Sequence, residues 1–179
     1  MRVWLLCCLL WPGLASAVSL EAYLAAPENY GPVLMFRHAL APGGGDPGNF
    51  DVNDCATQRN LSDAGRAQAV QIGEQLRGAG YRPQRVLTSP WCRCRETAQL
   101  IGYQPVVDEL GLASFFNGHV DRGKTLARLE QVMDGLDRQP VLMVTHFVVI
   151  SAITGRGIGS GEGVIYDPAT NQSWPLELN

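Results

Sequence analysis

Two histidines stand where apolar runs stop. Arg37-His38 follows Val33-Leu34-Met35-Phe36, and Thr145-His146 follows Val141-Leu142-Met143-Val144. Short runs of this kind read as buried strands, and open α/β sheets bind ligands just outside the carboxyl ends of their strands. A third strand candidate, Arg85-Val86-Leu87-Thr88, opens into Ser89-Pro90-Trp91-Cys92-Arg93. One histidine at a strand exit carries little meaning. Two, with an arginine-bearing turn between them, place cations and imidazoles at one edge of a sheet and point to a phosphoryl-transfer site. A common site requires the two rings within roughly 8 Å of each other, the reach of a phosphate-sized anion.

The elements that position these residues alternate. Ser62 caps a helix whose apolar face, Ala67, Val70, Ile72 and Leu76, runs to the stop at Gly78-Ala79-Gly80. After the strand 85–88, Ser89-Pro90 starts a second helix that carries Arg93, Arg95, Thr97 and Leu100 to Ile101-Gly102. Pro105-Val106-Val107 is a brief extended piece, and residues 111–123 form a modest wall rather than a cap domain. A third helix, from about Lys124 to Leu136, packs a stripe of Leu126, Leu129, Val132, Met133 and Leu136 into the core. Phe147 to Ile153 reads as a buried helix below the site, Gly163 to Tyr166 as a last short strand, and the polar tail after the Asp167-Pro168 turn carries little information. Right-handed crossovers on this spacing give a three-layer α/β/α sandwich with a mostly parallel central sheet. The stretch 41–54, rich in Gly, Pro, Asp and Asn, fits a cover over the first strand exit and a bland surface loop almost equally.

The first seventeen residues read as an export signal. Arg2 precedes an apolar stretch to Leu14, and Ala15-Ser16-Ala17 fits the small-residue cleavage pattern. A membrane anchor is disfavoured because the stretch is shorter than the roughly 18 residues of a span, and lipid attachment at Cys7 or Cys8 is a minor alternative. Cleavage leaves roughly 160 residues, enough for one domain at 18–179, and moves the net charge from −3 to about −4. That charge gives no reason to expect nucleic acid or an anionic membrane as partner, and no stable membrane insertion is expected after cleavage. A periplasmic or secreted location follows, and it permits a disulfide from Cys55 to Cys92 or Cys94. Zinc is not expected at Cys92-x-Cys94, nor between His38 and His146, which lack ligand partners at recognised spacing. Gly157-Ile158-Gly159-Ser160-Gly161 lacks the basic residue of a P-loop and reads as a turn.

Arg37-His38, Leu61-Ser62-x-x-Gly65-x-x-Gln68-Ala69, Ser89-Pro90-x-x-Arg93-x-x-x-Thr97-Ala98, Glu109 and Thr145-His146 together resemble the histidine phosphatase superfamily, the phosphoglycerate-mutase-like fold. The resemblance spans roughly residues 31–166 and is greatest to small-cap exported members, including enzymes that dephosphorylate lipopolysaccharide core heptose. Ala39 departs from the family's usual glycine after the histidine. The resemblance implies a metal-independent phosphomonoesterase without cofactor, in which His38 attacks phosphorus and forms a phosphohistidine while its other nitrogen is held by a backbone acceptor. Arg37 and Arg93 would grip the nonbridging oxygens. His146 would be a third donor to them and would favour a neutral His38 by carrying charge itself. Glu109, with Asp108 as its neighbouring competitor, would protonate the leaving oxygen. Arg59 adds positive field or sits at the surface, Arg95 faces away from Arg93, and His119 belongs to the wall. The substrate would be a phosphorylated small molecule or an envelope glycolipid. The alternative is a noncatalytic phosphate- or anion-binding envelope protein with the same fold.

Overall fold

The computed structural model describes residues 16–178, so the proposed export signal lies outside the described residues except for Ser16 and Ala17. Cys7 and Cys8 lie outside them as well. One mixed sheet runs in the order β1 (Val18–Ser19), β7 (Gln172–Glu177), β6 (Gly163–Asp167), β2 (Val33–Arg37), β5 (Val141–Thr145), β3 (Arg85–Thr88), β4 (Val106–Asp108). Strands β2, β5, β3 and β4 are mutually parallel, whereas β6 is antiparallel to both β2 and β7.

The apolar runs do not alternate with polar residues because both faces of the sheet are covered. In β2, Leu34 and Phe36 pack with Ile72 and Leu76 of α2 (Asp63–Gly78), and with Ala98 and Ile101 of α3 (Cys92–Ile101). Val33 and Met35 point the other way. They meet Leu129, Val132 and Met133 of α4 (Arg122–Asp134), and Val149 and Ile150 of α5 (Phe147–Thr154). The three-layer α/β/α sandwich is therefore the result of period-2 side-chain alternation within continuous apolar strands. Each such side chain contributes about 1.5–3 kcal/mol by leaving water.

Four local expectations change. The face that α2 buries is Ala69, Ile72 and Leu76, while Ala67 and Val70 are exposed. Helix α3 starts at Cys92 rather than at Ser89-Pro90, which leaves Ser89 in the strand exit with its hydroxyl available to the site. Helix α5 is not buried throughout, since Phe147 is 42% exposed and faces the cavity described below. The tail after Asp167 is not featureless: Asn171, at φ 56°, turns the chain into β7, and Trp174 packs edge-on against Tyr30. At the same edge Val18 pairs with Leu176, and Leu20 and Tyr23 of α1 (Leu20–Ala25) enter the core. Among the described residues no helix is long and apolar enough to cross a membrane.

Candidate active site

The parallel strands β2, β3 and β5 deliver His38, Ser89 and His146 to one end of the sheet. The register of β2 against β5 carries past the last strand pair, and the His38 amide donates to the Thr145 carbonyl at 2.9 Å. The chain after His38 is then fixed from three sides. The Leu40 carbonyl accepts from the Ser62 amide at 3.1 Å, while the Ser62 hydroxyl caps α2 by accepting from the Gly65 amide. A Cβ on Gly65 would lie 2.1 Å from that same Leu40 oxygen, so only glycine admits this approach. Gln68 accepts from the Leu40 amide and donates to the Ser160 carbonyl, tying the histidine loop to the glycine-rich turn before β6. Thr97 accepts from the Ala39 amide and donates to the Arg93 carbonyl. The Leu-Ser-x-x-Gly-x-x-Gln and Arg-x-x-x-Thr patterns are thus the scaffold of the loop that holds His38. The methyl of Ala39 is fully buried within this loop.

The His38 ring is oriented by the Ala39 carbonyl, 2.8 Å from Nδ1. A carbonyl only accepts, so Nδ1 carries the proton and Nε2 keeps its lone pair. Burial, followed by the positive charge of Arg93, pushes the His38 pKa down to about 3; the hydrogen bond to Ala39 opposes this, and Arg59 and Arg37 reinforce it. The imidazole is neutral, with Nε2 unprotonated.

The ring of His146 lies 5.5 Å from that of His38, centroid to centroid, inside the distance a shared phosphate requires. Its Nδ1 accepts from Arg93 Nη2 at 3.3 Å, so Nε2 donates to Ser89 Oγ at 2.8 Å. Full burial first, then Arg93 and His38, holds its pKa well below the ordinary value. Here the expectation is corrected: His146 does not carry charge beside His38, and both of its ring nitrogens are engaged by protein groups.

Positive charge comes from arginine alone. Arg37, Arg59 and Arg93 line a cavity of about 340 Å³ with His38, His146, Gly43, Gly44, Gly45, Ser114, Phe116, Phe147, Val148 and Ile158. Arg37 donates from Nη1 to the Ile158 carbonyl and lies over the Phe147 ring. Arg59 donates to the Ala41 carbonyl. In all three arginines Nε is buried without a hydrogen-bond partner. Buried donors without acceptors are costly, and three converging on one cavity suit an anion with several acceptor oxygens. Burial, and the charge of Arg93, lowers the pKa of both Arg37 and Arg59. A wider groove of about 730 Å³ beside β7 contains no histidine, and its Arg156 is engaged by Ser173, so the smaller cavity is the candidate site.

The loop 41–54 contributes more than cover. Its Asp46 forms a buried ion pair with Arg93, Oδ1 to Nη1 at 2.7 Å and Oδ2 to Nη2 at 3.3 Å. The same carboxylate accepts from Trp91 Nε1 and from the Arg59 amide. Burial acts to raise its pKa, but these hydrogen bonds and the Arg93 charge outweigh it and leave it lowered. A disulfide between Cys55 and Cys92 ties the far end of the loop to the first residue of α3, and Cys94 remains a buried free thiol. Asp46 and Arg59 were not assigned to the site by sequence reasoning. Their signal was only a loop rich in turn formers and a cation next to a helix cap.

Glu109 is not brought into the cluster. Its two oxygens accept from Nε and Nη2 of Arg128, each at 2.8 Å, and Oε1 also accepts from the Gly111 amide. It caps a single 3-10 turn at Leu110–Leu112 and does not line the cavity. Burial would raise its pKa, but Arg128 and the Gly111 amide lower it further than burial raises it. Its competitor Asp108 pairs outward with Arg95. His119 stacks on Phe50, which in turn stacks on Trp91, behind the cavity rather than in it. Ser114, from the wall, lines the cavity instead.

Residues 51–132 match the family described as the histidine phosphatase superfamily (branch 1). No curated protein matches the chain. Among solved structures, the protein histidine phosphatase SixA complexed with tungstate is 19% identical at a TM-score of 0.53, covering 80% of this chain and 92% of that one. A mycobacterial glucosyl-3-phosphoglycerate phosphatase is 16% identical at 0.55, covering 80% and 95%. Phosphoserine phosphatase from Entamoeba histolytica, in complex with 3-phosphoglyceric acid, is 17% identical at 0.56, covering 82% and 95%. At these identities the likeness is one of fold. The family match covers less than half of the chain. The matched segment includes Arg59 and Arg93 but neither His38 nor His146, so the roles of the histidines rest on geometry.

Proposed function

We propose that the chain is a metal-independent phosphomonoesterase that works through a phosphohistidine on His38. The observation that carries this reading is the His38 ring: Nδ1 is held by the Ala39 carbonyl and Nε2 is left unprotonated beside three guanidiniums with buried, unpartnered Nε groups. Nε2 attacks phosphorus, the bond to the leaving oxygen breaks, and that oxygen takes its proton from solvent. Water then attacks the phosphohistidine, releasing orthophosphate and neutral His38. Arg37 and Arg93 bind nonbridging oxygens, with Arg59 as a further donor, while His146 holds Arg93 from Nδ1. Three guanidiniums offset by Asp46, with two neutral imidazoles, leave the cavity near +2, the complement of a phosphomonoester dianion.

Glu109 has no place in this scheme. None of the cavity-lining residues is an aspartate or glutamate, so substrates with acidic leaving groups should turn over faster than alkyl phosphates. SixA complexed with tungstate, a phosphate-like oxyanion, supports an oxyanion site on this fold. We place the mature domain at 18–179 in the periplasm or secreted medium, after removal of residues 1–17. Its substrate is a phosphorylated small molecule or an envelope glycolipid of the phosphorylated lipopolysaccharide core type.

The second reading, a noncatalytic anion-binding protein, is favoured by the position of Glu109 away from the cavity. Phosphate release from a panel of phosphomonoesters of graded leaving-group acidity, with chelator present and with His38→Ala alongside, separates the two. Turnover that survives chelation and is lost in the variant supports the phosphatase. Equal turnover refutes His38 as nucleophile, and saturable orthophosphate binding without any turnover supports the binding protein.

A further inference from the structure

We infer that Asp46 is a positioning residue for phosphoryl transfer: it holds the fork of Arg93 away from full engagement with phosphate and so lets product leave. The inference rests on the phosphatase reading above and goes beyond it. Arg93 is 2% exposed, and both of its terminal nitrogens are turned toward Asp46. Each also reaches a second partner, Nη1 the Arg59 carbonyl at 3.4 Å and Nη2 the His146 Nδ1 at 3.3 Å, while Nε has none. A guanidinium free to choose would offer its two-pronged face to phosphate, the tightest arrangement available to it. Here Asp46 takes that face, and Nε is the one guanidinium nitrogen of Arg93 left without a partner.

The carboxylate is itself fixed. Trp91 Nε1 donates to Oδ2 at 3.1 Å, the Arg59 amide donates to Oδ1 at 3.0 Å, and the side chain is 4% exposed. The loop reaches this position through Gly43 and Gly45, both at positive φ. Asp46 also offsets one of the three positive charges around the cavity. Binding that is equally strong for substrate, transition state and product does not raise turnover. A carboxylate that blunts ground-state and product affinity, while keeping Arg93 in one orientation, shifts binding toward the transition state.

The test compares the wild-type protein with Asp46→Asn and Asp46→Glu, measuring kcat, KM and inhibition by orthophosphate on one aryl phosphate. The expected result for Asp46→Asn is a kcat about 10–100-fold lower, together with orthophosphate inhibition about three- to tenfold tighter. Asp46→Glu restores the charge and should return the orthophosphate constant toward wild type. A merely structural role predicts the opposite for phosphate, weaker inhibition alongside a lower melting temperature. That result, or an unchanged kcat in folded Asp46→Asn, overturns the inference. Should both variants fail to fold, Trp91→Phe removes one of the donors that fix Asp46 and should move kcat and the phosphate constant the same way by smaller factors; no movement in a folded Trp91→Phe protein counts against the inference. Absence of wild-type turnover is a separate failure, that of the phosphatase reading. Orthophosphate binding by calorimetry then decides, tighter in Asp46→Asn supporting the charge-offset role and weaker overturning it.

Discussion

Two buried carboxylates each accept two hydrogen bonds from one guanidinium, and they lie in different surroundings. Asp46 grips Arg93 within a loop that closes over the cavity, and neither side chain of the pair is more than 4% exposed. Glu109 grips Arg128 at the end of β4, and that arginine is half exposed. The difference shows that a carboxylate's function follows from where its partner points, not from its distance along the chain to a recognisable motif. Glu109 stands directly after a strand, where an acid would be sought; Asp46 stands in a stretch of Gly and Pro that names no chemistry.

The largest expected effect calibrates the comparison. His38→Ala should lower turnover by about 10⁴-fold or more, as loss of a nucleophile does, while the variant keeps its affinity for orthophosphate. Phosphate release and calorimetry on the same preparation check this. Retained turnover would make the contrast between the two carboxylates irrelevant to catalysis.

The disulfide sharpens the contrast next. Cys55–Cys92 closes the segment that supports Asp46 and Arg59 and does not touch the Glu109–Arg128 pair. Cys55→Ser with Cys92→Ser should lower stability by about 2–4 kcal/mol and lower kcat as well, because the loop that presents Asp46 loses its tie to α3. A denaturant titration beside kinetics reads both. Full activity in a destabilised variant would show that the hydrogen bonds to Asp46 alone suffice.

The histidines give a pH signature with a definite sign. Folded His38 titrates near 3 rather than at the ordinary 6.5, and His146 is lowered as well. The unfolded chain therefore binds protons that the folded one refuses, so stability falls as pH drops from about 6.5 toward 3. The slope from His38 is on the order of 1 kcal/mol per pH unit. Asp46 and Glu109, both lowered, act in the same direction at the acidic end, so the wild-type slope alone assigns nothing. His38→Gln removes one histidine's share, and its melting temperature should depend less on pH between 6 and 4. The activity of the wild type should show no loss from protonation of His38 across the same range.

How much of this was legible follows from how each feature is encoded. Buried strands such as Val33–Arg37 and Val141–Thr145 announce themselves because both faces of the sheet are covered. The cap Ser62 demands a particular residue type, so the start of helix α2 could be read directly, whereas the close approach at Gly65 that supports His38 entered only as part of the family pattern. Asp46 could not, since its meaning depends on a contact 47 residues away that no local pattern records. The same holds for β7, whose pairing with β6 and β1 gives a polar tail its structure. The charge state of His146 was misjudged because burial beneath Trp91 and beside Arg93 is a property of the assembled site.

The smallest expected effect is the sharpest test of the claim that Glu109 is structural. Glu109→Gln keeps the shape of the side chain and its hydrogen bond from the Gly111 amide, but removes the charge that faces Arg128. Because Arg128 is half exposed, solvent screens most of that interaction. Turnover should stay within about twofold of wild type, with a melting temperature lower by a few degrees at neutral pH and by less in acid, where the native carboxylate itself becomes protonated. The leaving-group dependence is the deciding readout. A residue that protonates the leaving oxygen matters most for poor leaving groups, so its loss steepens the dependence of kcat/KM on leaving-group pKa. An unchanged slope in Glu109→Gln leaves Asp46 as the carboxylate that matters to the site, whereas a steeper slope would return Glu109 to the chemistry and require the wall at 109–114 to move when substrate binds.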